Sequence, residues 1–138
     1  MSAKYVLDAC SVIAYYAKEP GWDVVRKIID DAIADNAELY MHKVNLFEVF
    51  YDAWKTQSEA DAISTLTKFR ALPVSVIDIF TDELMTEATR FKTTHRISVA
   101  DAFALGLAKL ENAALVTSDH HEFDPIEAAG DATFLWIR

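Results

Sequence analysis

Four acidic residues stand where the surrounding pattern calls for hydrophobes. Asp8 closes the apolar run Tyr5-Val6-Leu7, and Glu48 is the only charge within Val44-Asn45-Leu46-Phe47-Glu48-Val49-Phe50-Tyr51. Asp101 is the only charge between Ser98 and Ala108, and Asp119 follows Leu115-Val116 through Thr117-Ser118. A lone carboxylate in low dielectric either costs several kcal/mol or keeps its proton. Four of them, on four separate segments, are best explained by convergence on a cation. Hard divalent ions select oxygen ligands, and Mg²⁺ takes one or two carboxylates while retaining several waters.

Each acid also has an ordinary reading. Asp8 suits the N-cap of a following helix, and Asp101 sits three after Ser98, a spacing like that of a capping box. Asp119 precedes His120-His121 in what reads as a turn, where Asp is common. Glu48 has no such explanation, because neither cap nor turn accounts for an acid in mid-helix among aromatics. Their joint placement carries the case.

These side chains need elements to hold them. Tyr5–Leu7, Leu39–Met41, Val74–Ile77, Ala114–Val116 and Thr133–Ile137 are short apolar runs that predict strands. Between the earlier runs, apolar residues recur at helical spacing over Ser11–Ala17, Val24–Ile33, Val44–Lys55, Ala60–Ala71, Thr81–Lys92 and Ser98–Leu110. Ser58 is placed to cap one helix, and Pro20-Gly21 marks a break. The last two strands follow one another with no helix predicted between them. Strands alternating with helices predict an α/β fold, a parallel sheet flanked by helices on both faces. In such a sheet ligands sit beyond the carboxyl ends of the strands.

With 138 residues the chain is the size of one domain, taken as residues 1–138, with no repeat or linker. Thirteen Lys and Arg against 22 Asp and Glu leave a net charge of −9. Such a surface repels nucleic acid at long range, so a basic-groove binder is excluded as a first reading. The single cysteine, Cys10, excludes an internal disulfide framework and a thiolate zinc site. His42, His95, His120 and His121 form no His-x-x-x-His pair, and are expected on the surface or in loops. Cys10, Tyr51 and Trp54 are expected to pack in the core or an interface. The apolar run Tyr5–Ala17 is broken by Asp8 and resembles no export signal, so a cytoplasmic location without membrane contact is expected.

Taken in order, these segments resemble the PIN-domain ribonucleases, and among them the VapC-type toxins of toxin–antitoxin pairs. Val6-Leu7-Asp8-Ala9-Cys10-Ser11-Val12-Ile13-Ala14 looks like the family's opening, and Asn45-Leu46-Phe47-Glu48-Val49 stands where the family has its helical glutamate. Ile97-Ser98-Val99-Ala100-Asp101-Ala102 matches the third acidic motif, and Leu115-Val116-Thr117-Ser118-Asp119 with Phe123 resembles the last. The resemblance spans essentially the whole chain. It implies a PIN-like parallel sheet and cleavage of RNA with Mg²⁺ or Mn²⁺. It also implies a homodimer and a cognate antitoxin whose tail covers the acidic site.

On that basis Asp8, Asp101 and Asp119 are expected to coordinate metal directly, with Glu48 on a second ion or on a water. Two departures stand out: Ala9 and Cys10 replace a hydroxyl or amide after the first acid, and His120-His121 replace a basic residue after the last. The competing reading is a catalytically degenerate PIN-fold interaction module. Phosphoacceptor and haloacid-dehalogenase-type sites fit poorly, because Ala9 and Cys10 occupy positions where each would need a further acid. Separately, the aromatic segment Val44–Lys55 carries apolar residues around much of its circumference, which suits an apolar partner helix.

Overall fold

The computed structural model describes residues 2–138. The chain runs β1 (Ala3–Leu7), α1 (Ala9–Ala17), α2 (Trp22–Ile33), β2 (Ala37–His42), α3 (Lys43–Thr56), α4 (Glu59–Arg70) and β3 (Val74–Ile77). It continues through α5 (Asp82–Thr94), α6 (Val99–Glu111), β4 (Ala114–Thr117), α7 (His120–Ala129) and β5 (Phe134–Trp136). The five strands form one sheet in the order β3-β2-β1-β4-β5, and every pairing is parallel. No helix among the described residues is long and apolar enough to cross a membrane.

Strand alternation divides the core in two. Val6 and Leu115 enter a cluster with Leu84, Phe91, Leu105 and Phe123, from α5, α6 and α7. Leu7 and Val116, one residue on, face a second cluster with Val12, Val25, Ile28, Leu46 and Phe69, from α1 to α4. Both faces of the sheet are therefore covered, as continuous apolar strands require. Because β1 sits between β2 and β4, the order reverses there, and the crevice beyond the carboxyl ends of β1 and β4 is the place for a ligand.

One element departs from expectation. The segment after Asp119 is not a turn but the ten-residue helix α7, which makes the β4-to-β5 connection a parallel crossover. Pro125 inside it hides the helix from a sequence reading, since proline removes a ladder hydrogen bond. Capping by Asp119 and full burial of Phe123 and Ile126 outweigh that loss.

Pro20-Gly21 does mark a break, and it also locks the sheet. Gly21 takes φ +97°, and a Cβ there would collide with the carbonyl oxygen of Ile137. Ile137 in turn donates its N–H to the Thr117 carbonyl at 3.0 Å, at the end of β4. Gly21→Ala is therefore expected to lower stability by about 2 kcal/mol through strain and displacement of this tail. Urea unfolding with an unchanged midpoint would refute that.

Candidate active site

Three of the four acids lie at helix N-termini. Asp8 is the N-cap of α1, its Oδ1 accepting the Ser11 N–H at 2.8 Å, while the Ser11 hydroxyl donates back to the Asp8 carbonyl at 3.0 Å. Asp119 caps α7 through Oδ1 and the Glu122 N–H at 3.2 Å. Asp101 lies in the first turn of α6, its N–H bound by Ser98 Oγ at 3.1 Å. The capping readings are therefore real. They do not compete with chemistry, because a carboxylate has two oxygens and a cap uses one. They also aim the positive ends of three helices toward the acids, which offsets negative charge and favours a phosphate.

Thr117 ties two of the acids together. Its buried hydroxyl accepts the Asp119 N–H at 3.1 Å and lies close enough to the Asp8 carboxyl to hold it down against the upward push of burial. Cys10 sits on the same seam, its Sγ 3.0 Å from Ser118 Oγ, rather than serving only as packing. Glu48 projects from mid-α3, half-buried, three residues after Asn45 on the same face of the helix. Asn45 Nδ2 also donates to the Ala100 carbonyl at 3.0 Å, beside Asp101, so it links α3 to α6. Asn45 Oδ1 is buried with no partner, a condition that costs about 1–3 kcal/mol.

The carboxylates share one electrostatic field. Burial pushes Asp8 up to about 6, opposed by hydrogen bonds from Thr117 and Ser11 and reinforced by the charge of Asp101. Asp101 is also pushed up to about 6, first by burial and then by the charges of Asp119, Glu48 and Glu122, against the Ser98 hydrogen bond. Burial raises Glu48, against its hydrogen bond from Asn45. Among the described residues, no lysine or arginine forms a salt bridge with any of the four acids. Asp101 thus lies within electrostatic reach of Asp8, Glu48 and Asp119.

The donor set of carboxylates, hydroxyls and one amide oxygen fits a hard divalent cation in its chemistry. Among the described residues, no three His, Cys, Asp or Glu side chains are arranged as a ready-made ligand set. The acids share a field without yet sharing a ligand shell.

Sequence reading missed Glu122, Thr117 and Asn45 as members of this neighbourhood. Glu122 three after Asp119 was the available signal, once a helix is recognised there. Asp124, by contrast, pairs with His120 Nδ1 at 2.8 Å. His120 stacks on Trp136 at 3.8 Å and reaches the Arg138 carbonyl through Nε2. His42 is buried rather than at the surface: Nδ1 accepts the Val44 N–H, which requires Nε2–H to donate to the Ile79 carbonyl, and burial lowers its pKa.

The PIN domain family profile matches residues 5–128. The chain belongs to the PIN domain family. Solved PIN-fold structures resemble it over nearly their whole length. VapBC-1 from nontypeable Haemophilus influenzae shares 20% identity at a TM-score of 0.71, covering 97% of this chain and 98% of that one. A toxin–antitoxin complex from Klebsiella pneumoniae shares 18% at 0.66, covering 91% and 92%. VapC20 from Mycobacterium tuberculosis, a sarcin-ricin loop cleaving toxin, shares 12% at 0.66, covering 95% and 98%. No curated protein matches the chain. These structures establish the PIN fold and its α/β sheet, as the ordered acidic motifs implied.

Proposed function

We propose that this PIN domain is a metal-dependent endoribonuclease and the toxin of a toxin–antitoxin pair. The observation that carries the reading is four carboxylates on four separate elements, Asp8 buried and Glu48, Asp101 and Asp119 half-buried, with no lysine or arginine among the described residues in a salt bridge to any of them. Asp8, Glu48, Asp101 and Asp119 would hold Mg²⁺ or Mn²⁺. When bound, the ion lowers the pKa of its water and stabilises charge on phosphoryl oxygens, the two requirements of phosphodiester hydrolysis.

The chain's own residues do the rest. Thr117 and Ser11 fix the Asp8 carboxylate, and Ser98 holds the first turn of α6 that presents Asp101. The helix N-termini of α1, α6 and α7 attract the phosphate that the −9 surface would otherwise repel. The test is purified protein with RNA under Mg²⁺, Mn²⁺ or chelator. Cleavage with either ion and none with chelator is expected. Mn²⁺ binding without cleavage would favour the degenerate interaction module instead.

The partner reading rests on α3. Phe47, Tyr51 and Trp54 are 62%, 54% and 46% exposed, and lie along one stripe of the helix. Phe50, Leu66 and the aliphatic part of Arg70 continue that surface toward α4. An amphipathic antitoxin helix is proposed to lie there, with the acidic chain favouring a basic partner. Trp54→Ala is expected to weaken association about tenfold while leaving cleavage by the isolated chain intact. Co-purification at wild-type strength would overturn the assignment. A homodimer and a cytoplasmic location belong to the same proposal, with the exposed Ile79, Phe80 and Val99 offering apolar surface to a second copy.

A further inference from the structure

We infer that Asn45 is a positioning residue of the acidic site, clamping α3 to α6 and keeping its unpaired Oδ1 for a water that enters with the cation. The inference rests on the cation-dependent reading above and deepens it. Asn45 precedes Glu48 by three residues, so both lie on one face of α3. Its Nδ2 donates to the Ala100 carbonyl at 3.0 Å, one residue before Asp101. Its amide also lies close enough to Glu48 to hold that carboxyl down against the upward push of burial. One side chain of α3 therefore ties the helix that carries Glu48 to the helix that carries Asp101.

The second observation is the orphan oxygen. Asn45 is 1% exposed, and its Oδ1 has no partner. Buried polar atoms are almost always paired, and an unpaired one calls for an explanation, of which a water or ion that enters with the ligand is one. Ala100 does not require this bond for its own sake, since its carbonyl lies within α6, where the helix ladder supplies the Ala104 N–H. An apolar side chain of the same shape would satisfy the packing and remove the orphan. An amide in this position is therefore not explained by packing alone.

The test uses the full chain, with Mn²⁺ as the probe. Asn45→Leu is expected to leave the metal-free melting temperature unchanged or raised, while the Mn²⁺ dissociation constant measured by calorimetry rises about 10–100-fold. Asn45→Ser leaves a small cavity but retains a hydroxyl. It is expected to melt below Asn45→Leu and still bind Mn²⁺ more tightly, and this crossing is one that a purely structural asparagine cannot produce. Intact Mn²⁺ affinity in Asn45→Leu, whatever its melting temperature, overturns the inference; if Asn45→Leu does not fold, Asn45→Ala, which offers no side-chain oxygen, decides, and a wild-type Mn²⁺ affinity there overturns it. Wild-type protein that binds Mn²⁺ but leaves RNA uncut defeats the nuclease reading alone, because the binding comparison still stands. Wild-type protein that binds no Mn²⁺ defeats both.

Discussion

Asp8→Asn is expected to reduce RNA cleavage by about a thousandfold or more while making the metal-free protein harder to unfold at pH 8. The first effect follows from removing one full negative charge and one ligand oxygen from a site whose chemistry depends on a cation; a thousandfold is about 4 kcal/mol of transition-state stabilisation. The second follows from burial. Asp8 is 5% exposed and its carboxyl is pushed up to about 6 from 3.8. A raised carboxyl pKa gives stability that is present in full below 3.8 and lost as pH rises through about 6. At pH 8 the ionised Asp8 therefore costs the fold up to about 3 kcal/mol. Asparagine is a good N-cap, so it keeps the bond to the Ser11 N–H, and its own buried amide offsets only part of the gain. A net stabilisation of about 2 kcal/mol is expected at pH 8, shrinking toward pH 4. Urea unfolding across that range checks it. A variant that cleaves RNA at wild-type rate would remove Asp8 from the site, and one that unfolds more easily at pH 8 would refute the cost assigned to its buried charge.

The misfit between a carboxylate and its apolar surroundings is also why the acids were legible in the sequence at all. Asp8 and Asp101 interrupt apolar runs, and such interruptions are where local pattern and global fold disagree. The α/β order was legible for the same reason, since five apolar runs separated by helical periodicity leave few arrangements. The residues that escaped notice are those whose types look ordinary on any surface. Thr117 reads as a strand-end hydroxyl and Asn45 as a helical polar residue, and only contacts across the sheet reveal what they hold. Helix α7 escaped because Pro125 is a local signal, whereas burial of Phe123 and Ile126 is a tertiary one. Its omission left the preceding Asp119 as a turn residue and hid Glu122 one turn further on. His42 reads as a surface residue until β2 and α3 are joined, when its ring becomes the cap between them.

Mn²⁺ is expected to raise the melting temperature by about 10 °C at pH 7.5 and far less at pH 5. A ligand present at a hundred times its dissociation constant stabilises the folded state by about 2.7 kcal/mol, and for a chain of this size each kcal/mol moves the melting point by about 4 °C. The pH dependence comes from Asp8 and Asp101, both pushed up to about 6. Above that value both are ionised and available as ligands, and the repulsion and burial cost they impose are relieved by the cation. Below it both hold protons, which the cation must displace, so affinity falls steeply as pH drops through 6. The same titration acts in the opposite direction without metal, where protonation of these two groups favours the fold. Mn²⁺ should therefore add most where these acids strain the metal-free protein most. Asp8→Asn separates this from cations bound loosely to an acidic surface, because the variant keeps nearly all of that charge but should lose most of the shift. An equal shift at both pH values, or an undiminished one in Asp8→Asn, would mean that the ion binds elsewhere.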